Sequence, residues 1–158
     1  MKRGLKALCL MGAAVVIVTA GAATAQELRD CDWVASARNI AEPWAQNTRE
    51  FANGAVRITK MDTIEPAAGS VFLTVLSPPY GELGDRQCKV IGWSHGIGFT
   101  ELYFDDLLAS YDPALGLIFQ LPARIYDPEY AFSNSAILSF VVNQATGEIN
   151  TDVALGNE

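Results

Sequence analysis

The chain is poor in the residues that most enzymes use for chemistry. Its 158 residues include one histidine, three cysteines and only 11 Lys and Arg against 18 Asp and Glu. No G-x-S-x-G elbow is present to expose a nucleophilic serine, and no C-x-x-C pair to hold a metal or run redox exchange. No internal repeat, low-complexity tract or obvious linker occurs. The formal charge of −7 repels phosphate backbones and anionic headgroups, which argues against nucleic acid and against a basic membrane-surface patch. No cofactor is implied by any motif.

Only one long apolar run is present, at the N-terminus. Lys2, Arg3 and Lys6 precede the twelve apolar residues Ala7–Val18, and small residues then lead to Ala23-Thr24-Ala25. Charged start, apolar core and A-x-A end form the order of a cleavable secretory signal over residues 1–25. The core is too short to span a bilayer, which takes ~20 residues. The expected mature chain, 26–158, is therefore exported, soluble and without a membrane span, in the periplasm or outside the cell. Removing 25 of 158 residues leaves 133 and takes three basic residues but no acid, so the charge moves from −7 to −10. About 130 residues suit one compact domain with a real core.

Cys9 falls within the signal, leaving Cys31 and Cys88. Two cysteines in an oxidising compartment predict one disulfide, closing a loop of ~58 residues worth ~4 kcal/mol in chain entropy.

Asp30–Trp44 (DCDWVASARNIAEPW) predicts a helix: Asp30 or Asp32 can cap it, and Val34, Ala37, Ala41 and Trp44 fall at three- and four-residue steps. Trp33 or Trp44 would pack on a sheet. Strand patterns dominate thereafter. Asn53-Gly54 between Thr48–Phe51 and Ala55–Met61 predicts a hairpin. Ser70–Leu76 reads as a central strand that stops at Pro78-Pro79, and Gln87–Trp93 as the next. Ile97–Phe104 is ambiguous, and Asp105–Ser110 reads as a short helix or turn. Leu117–Tyr126 is extended with Pro122 marking an edge or bulge. Ala136–Val142 and Glu148–Val153 flank a five-residue loop, Asn143–Gly147. The expected fold is α+β, a mostly antiparallel sheet with an N-terminal helix, and a β-sandwich with a helical lid is the alternative.

The phrases FANGAVR (51–57), LSPPY (76–80), RQC (86–88) and VNQATGEI (142–149) resemble small exported proteins of purple non-sulfur-type alphaproteobacteria, an uncharacterised family with no assigned activity. The resemblance spans most of the mature chain. It implies a domain family and a compartment, and it transfers no site residue.

Three groups of residues could carry function. His95, in Trp93-Ser94-His95-Gly96, could act as a base with Ser94 or another serine as nucleophile and Asp105 or Asp106 as orienter. A solvated loop histidine is the simpler reading, since neighbours on a strand point to opposite faces. Glu101, Asp105 and Asp106, with Asp112 beyond, could hold a hard cation if 101–110 is helical, but the segment lacks the pattern of a calcium loop. Caps or a solvated helical face are the favoured reading, and no metal ligand is assigned. Among the aromatics, Tyr80 stands out, because it follows Pro78-Pro79 and precedes a Gly-rich loop that could present it outward. A packed loop tyrosine is the plain alternative. Together these features favour a non-catalytic exported binding module for an unknown protein or small molecule, with Tyr80 as a binding residue. The alternative is a small hydrolase using His95 with Asp105/Asp106. Edge strands near Pro122 or Arg57 leave a homodimer open.

Overall fold

A computed structural model describes residues 27–156. The expected signal, 1–25, lies outside the described residues. Among the described residues, ten strands form two antiparallel sheets. The first has the order β1 (Glu27–Asp30), β5 (Arg86–Gly92), β4 (Val71–Tyr80), β3 (Val56–Asp62), β2 (Thr48–Phe51). The second has β10 (Ile149–Leu155), β9 (Phe132–Val142) and β8 (Gly116–Asp127), and the long β8 takes both β6 (Glu101–Leu102) and β7 (Leu108–Asp112) along its far edge.

Alternation in the sequence fixes which face is inside. Val56 and Ile58 on β3, and Leu73 and Val75 on β4, meet Phe119 and Leu121 on β8 and Leu138 and Phe140 on β9 in one buried core. Phe51 reaches across from β2 to stand edge-on to Phe119, with ring centroids 4.9 Å apart, and Phe119 stacks on Phe140 at 4.8 Å. The chain changes sheet at 97–102. Phe99 exchanges two backbone hydrogen bonds with Val71 of the first sheet, and Thr100 donates to the Arg124 carbonyl of the second. Gly98 must be glycine at this corner, since a Cβ there would collide with the Val71 carbonyl and lie 2.9 Å from the Gly69 carbonyl.

The α+β expectation, with its N-terminal helix, is overturned. The fold is all-β, and the helical lid of the alternative does not form either. Residues 33–39 make two three-residue 3-10 turns, Trp33–Ala35 and Ala37–Asn39, separated by extended Ser36. Tertiary bonds win over helical periodicity here. Asp30 is already paired with Lys89 in the sheet, and the Cys31 amide donates to the Cys88 carbonyl. The buried Asn39 amide donates to the Trp33 and Val34 carbonyls, and Ile40 bridges to Met61. The result is a strap across the outer face of the first sheet, from its β1 edge towards its β2 edge. Val34 is buried with Met61, Phe72 and Val90 beneath it. Trp33 and Trp44 turn outward, against the expectation that one packs on a sheet.

The strand assignments otherwise follow the sequence, with three differences. β4 continues through Pro78-Pro79 as a bulge, its register jumping from Ser77↔Gln87 to Tyr80↔Arg86. Leu108–Ser110 belongs to β7 rather than to a helix, and only Phe104–Asp106 makes a helical turn. Pro122 lies within β8. Its carbonyl accepts from Tyr103, so its ring nitrogen faces the same side, where the chain leaves the sheet between β6 and β7 and no donor is needed.

The disulfide forms as expected between Cys31 and Cys88, with Cα atoms 5.3 Å apart. It is consistent with an oxidising environment. No helix among the described residues is long and apolar enough to cross a membrane.

Two outcomes test this architecture. Reduction should remove ~4 kcal/mol and lower the thermal midpoint by roughly 10–20 °C, while unreduced, unfolded protein shows no free thiol at positions 31 and 88. Gly98→Ala should cost about 2–3 kcal/mol in chemical denaturation, because backbone rather than a flexible side chain blocks the new methyl.

Candidate functional site

The residues singled out in the sequence occupy three separate places. Tyr80 stands at the β4–β5 turn, the end of the sandwich where the β2–β3 and β9–β10 turns also lie. Gln87 ties this end together, donating to the Pro78 carbonyl at 2.9 Å and the Gly147 carbonyl at 2.8 Å. Arg86 donates to the Gly54 carbonyl at 2.9 Å. On this braced base Tyr80 is 56% exposed and Leu83 is 97% exposed. The Pro-Pro-Tyr segment therefore does present its aromatic outward.

His95 lies at the other end, the full length of β4 and β5 away. Ser94 and Ile97 exchange both backbone hydrogen bonds, at 3.1 and 2.8 Å, leaving His95 and Gly96 as the two residues of a tight hairpin. Both have positive φ, +49° and +80°, as a type I′ turn requires. Histidine is among the non-glycine residues that enter this region more readily. The Gly96 amide donates to the Glu27 carboxylate, fastening the hairpin to β1. Much of the explanation for a histidine here is thus backbone geometry.

The hairpin also closes one wall of a hollow of about 320 Å³. Trp93 and Tyr126 supply aromatic groups to its lining, Pro66 and Pro128 rigid ones, and Ser94 and His95 polar ones. Three loops converge here: the β3–β4 turn, the β5–β6 corner and the β8–β9 turn. Sequence reading found His95 but not this company, since Pro66 and Tyr126 are 60 residues apart. The bonds that bring them together run through the Gly69–Gly98 and Val71–Phe99 contacts.

Asp105 and Asp106 are not at His95. They sit on the exposed turn between β6 and β7, along the side of the sandwich. Arg49 of β2 clamps this turn, donating to the Leu107 and Asp105 carbonyls at 3.3 and 3.2 Å, with its guanidinium 5.2 Å from the centre of the Phe104 ring. Its Nη2 lies 3.8 Å from Asp105 Oδ1. β3 and β4 separate β2 from β5, whose end carries His95. The structure does not join the histidine to these carboxylates. Glu101 is on β6, not a helix, so it shares no helical face with Asp105; its carboxylate takes the Lys60 ammonium, which also donates to the Leu102 carbonyl at 2.8 Å. Asp112 caps the β7–β8 turn, accepting from Ala114 at 2.7 Å.

No protein-family model, curated protein or solved structure matches this chain.

Proposed function

We propose that the chain is an exported, non-catalytic binding module that takes a small or side-chain-sized ligand at its His95 end. The observation that carries this is the hollow between Trp93, Tyr126, Pro66 and Pro128. It is mostly apolar, has a few polar groups at one side, and is built from loops on a braced scaffold, which is the usual composition of a ligand pocket. Its volume suits a ring-sized group. The Trp93 indole and Tyr126 hydroxyl can each donate a hydrogen bond beside an apolar face. Export to the periplasm or beyond is supported by the signal-like N-terminus, by the resemblance to small exported proteins and by the disulfide. The Tyr80–Leu83 tip, at the opposite end, offers a second outward contact suited to a protein surface.

Aromatic and heteroaromatic fragments such as indole and p-cresol probe the hollow. Binding should raise the thermal midpoint and change the fluorescence of the half-buried Trp93. Tyr126→Ala should weaken it about tenfold, ~1.4 kcal/mol, and His95→Ala by no more than about threefold, ~0.7 kcal/mol. Fragment binding that ignores Tyr126→Ala would remove the hollow as the site. Hydrolysis of an activated ester that vanishes in His95→Ala would instead make the protein an enzyme.

A further inference from the structure

The outer faces of the two sheets are treated unequally. The first is covered by the strap, with Met61, Phe72 and Val90 buried under Val34. The second carries an apolar row with no such cover among the described residues. Pro122 on β8, Ile137 on β9 and Ala154 on β10 are paired in register, so their side chains share one line across three strands. Gln120, Ser135 and Ser139 supply the polar positions expected of a water-facing sheet, and the row interrupts them. Ile137 is 42% exposed, and Leu108, paired with Gln120 on the same face, adds a side chain that is 68% exposed. Two shallow grooves, of about 400 and 260 Å³, meet at Pro122 and Ile137. They share no lining residue with the His95 hollow.

The rim is acidic at both ends. Asp105 and Asp106 border the groove beside β7, and Asp152 precedes Ala154 by two residues on the same face of β10. Arg49 reaches Asp105 only at 3.8 Å, and that carboxylate remains 88% exposed. One cation, Arg124, faces the groove, and its guanidinium is engaged with the Ser133 carbonyl at 2.6 Å.

We propose that this groove docks a cationic segment of a partner protein, an apolar side chain seated over Pro122 and Ile137 with Lys or Arg flanking it. The apolar row supplies burial that is non-directional, and the rim selects the sign of the partner's charge. A second copy of the chain is the poorer occupant. It would set carboxylate rims against each other on a molecule already at net −7.

A synthetic lysine–leucine amphipathic peptide at low salt is the probe, with its glutamate–leucine counterpart as the charge control, both titrated calorimetrically into the mature chain. The lysine peptide should bind and the glutamate peptide should not. Ile137→Ser and the pair Asp105→Asn/Asp106→Asn should each weaken binding at least about tenfold. The pair Glu82→Gln/Asp85→Asn, at the Tyr80 end, should change it less than about twofold. Leu108→Ser, more exposed still, repeats the apolar test if Ile137→Ser disturbs the fold. The proposal is overturned if wild type does not bind, if the distant pair matters as much as the groove pair, or if both apolar variants bind normally. A wild-type dimer dissolved by Ile137→Ser would likewise overturn it in favour of a second copy.

Discussion

Much of this structure depends on the tie between Cys31 and Cys88. A β-sandwich buries one face of each sheet against the other, and the outer face of the first sheet is apolar too. Met61, Phe72 and Val90 would lie in water unless something covered them. The cover is a strap with little structure of its own. Two 3-10 turns hold few internal hydrogen bonds, and segments this short do not persist without tertiary contacts. Burial of Val34 contributes on the order of 2 kcal/mol. Fixing the start of the strap to β5 removes much of the entropy the remainder must overcome. At its far end the strap is joined to β3 by the Ala41 amide on the Lys60 carbonyl, and it then becomes β2.

That economy on one side decides what is left on the other. With the first sheet covered, three surfaces remain open to contact: the hollow beside His95, the Tyr80 tip, and the bare outer face of the second sheet. The first two sit on loops whose bases are stitched by backbone and side-chain bonds, as at Gln87 and at the Val71–Phe99 exchange. Such loops hold their shape before a ligand arrives, which lowers the ordering cost of binding. The third is set by register alone. The excess of acid over base places all three in a net negative field.

What could be read in the sequence was the strand content. Ser70–Leu76 and Leu117–Tyr126 are dense in apolar and branched residues, and the Asn143–Gly147 loop carries its own turn chemistry. The pairing of Cys31 with Cys88 followed from counting. The N-terminal helix was misread because Val34, Ala37 and Ala41 do recur at helical spacing, while the forces that overrode it come from β3 and β5, far along the chain. Asp105–Ser110 was misread for a related reason: Leu108 becomes a strand residue only because β8 is long enough to pair with it. The role of His95 in a two-residue turn was legible in principle. His-Gly can occupy the two positive-φ positions as Asn-Gly does, which makes the expected loop histidine specifically a turn residue. Neither the hollow nor the apolar row could be read: the first is made by loops that meet only where the chain crosses between sheets, the second by residues that only register brings into line.

Hydrogen–deuterium exchange on the oxidised and reduced mature protein tests the dependence on the Cys31–Cys88 tie most directly. In the oxidised form the amides of Cys31, Asn39, Ile40 and Ala41, each with a backbone acceptor, should be protected. On reduction, protection over 31–41 should fall first and furthest, with β1 following, while β8 and β9 keep theirs. Equal exchange over 31–41 in both forms would contradict the account, because the strap would then be held by its packing on Met61, Phe72 and Val90 alone.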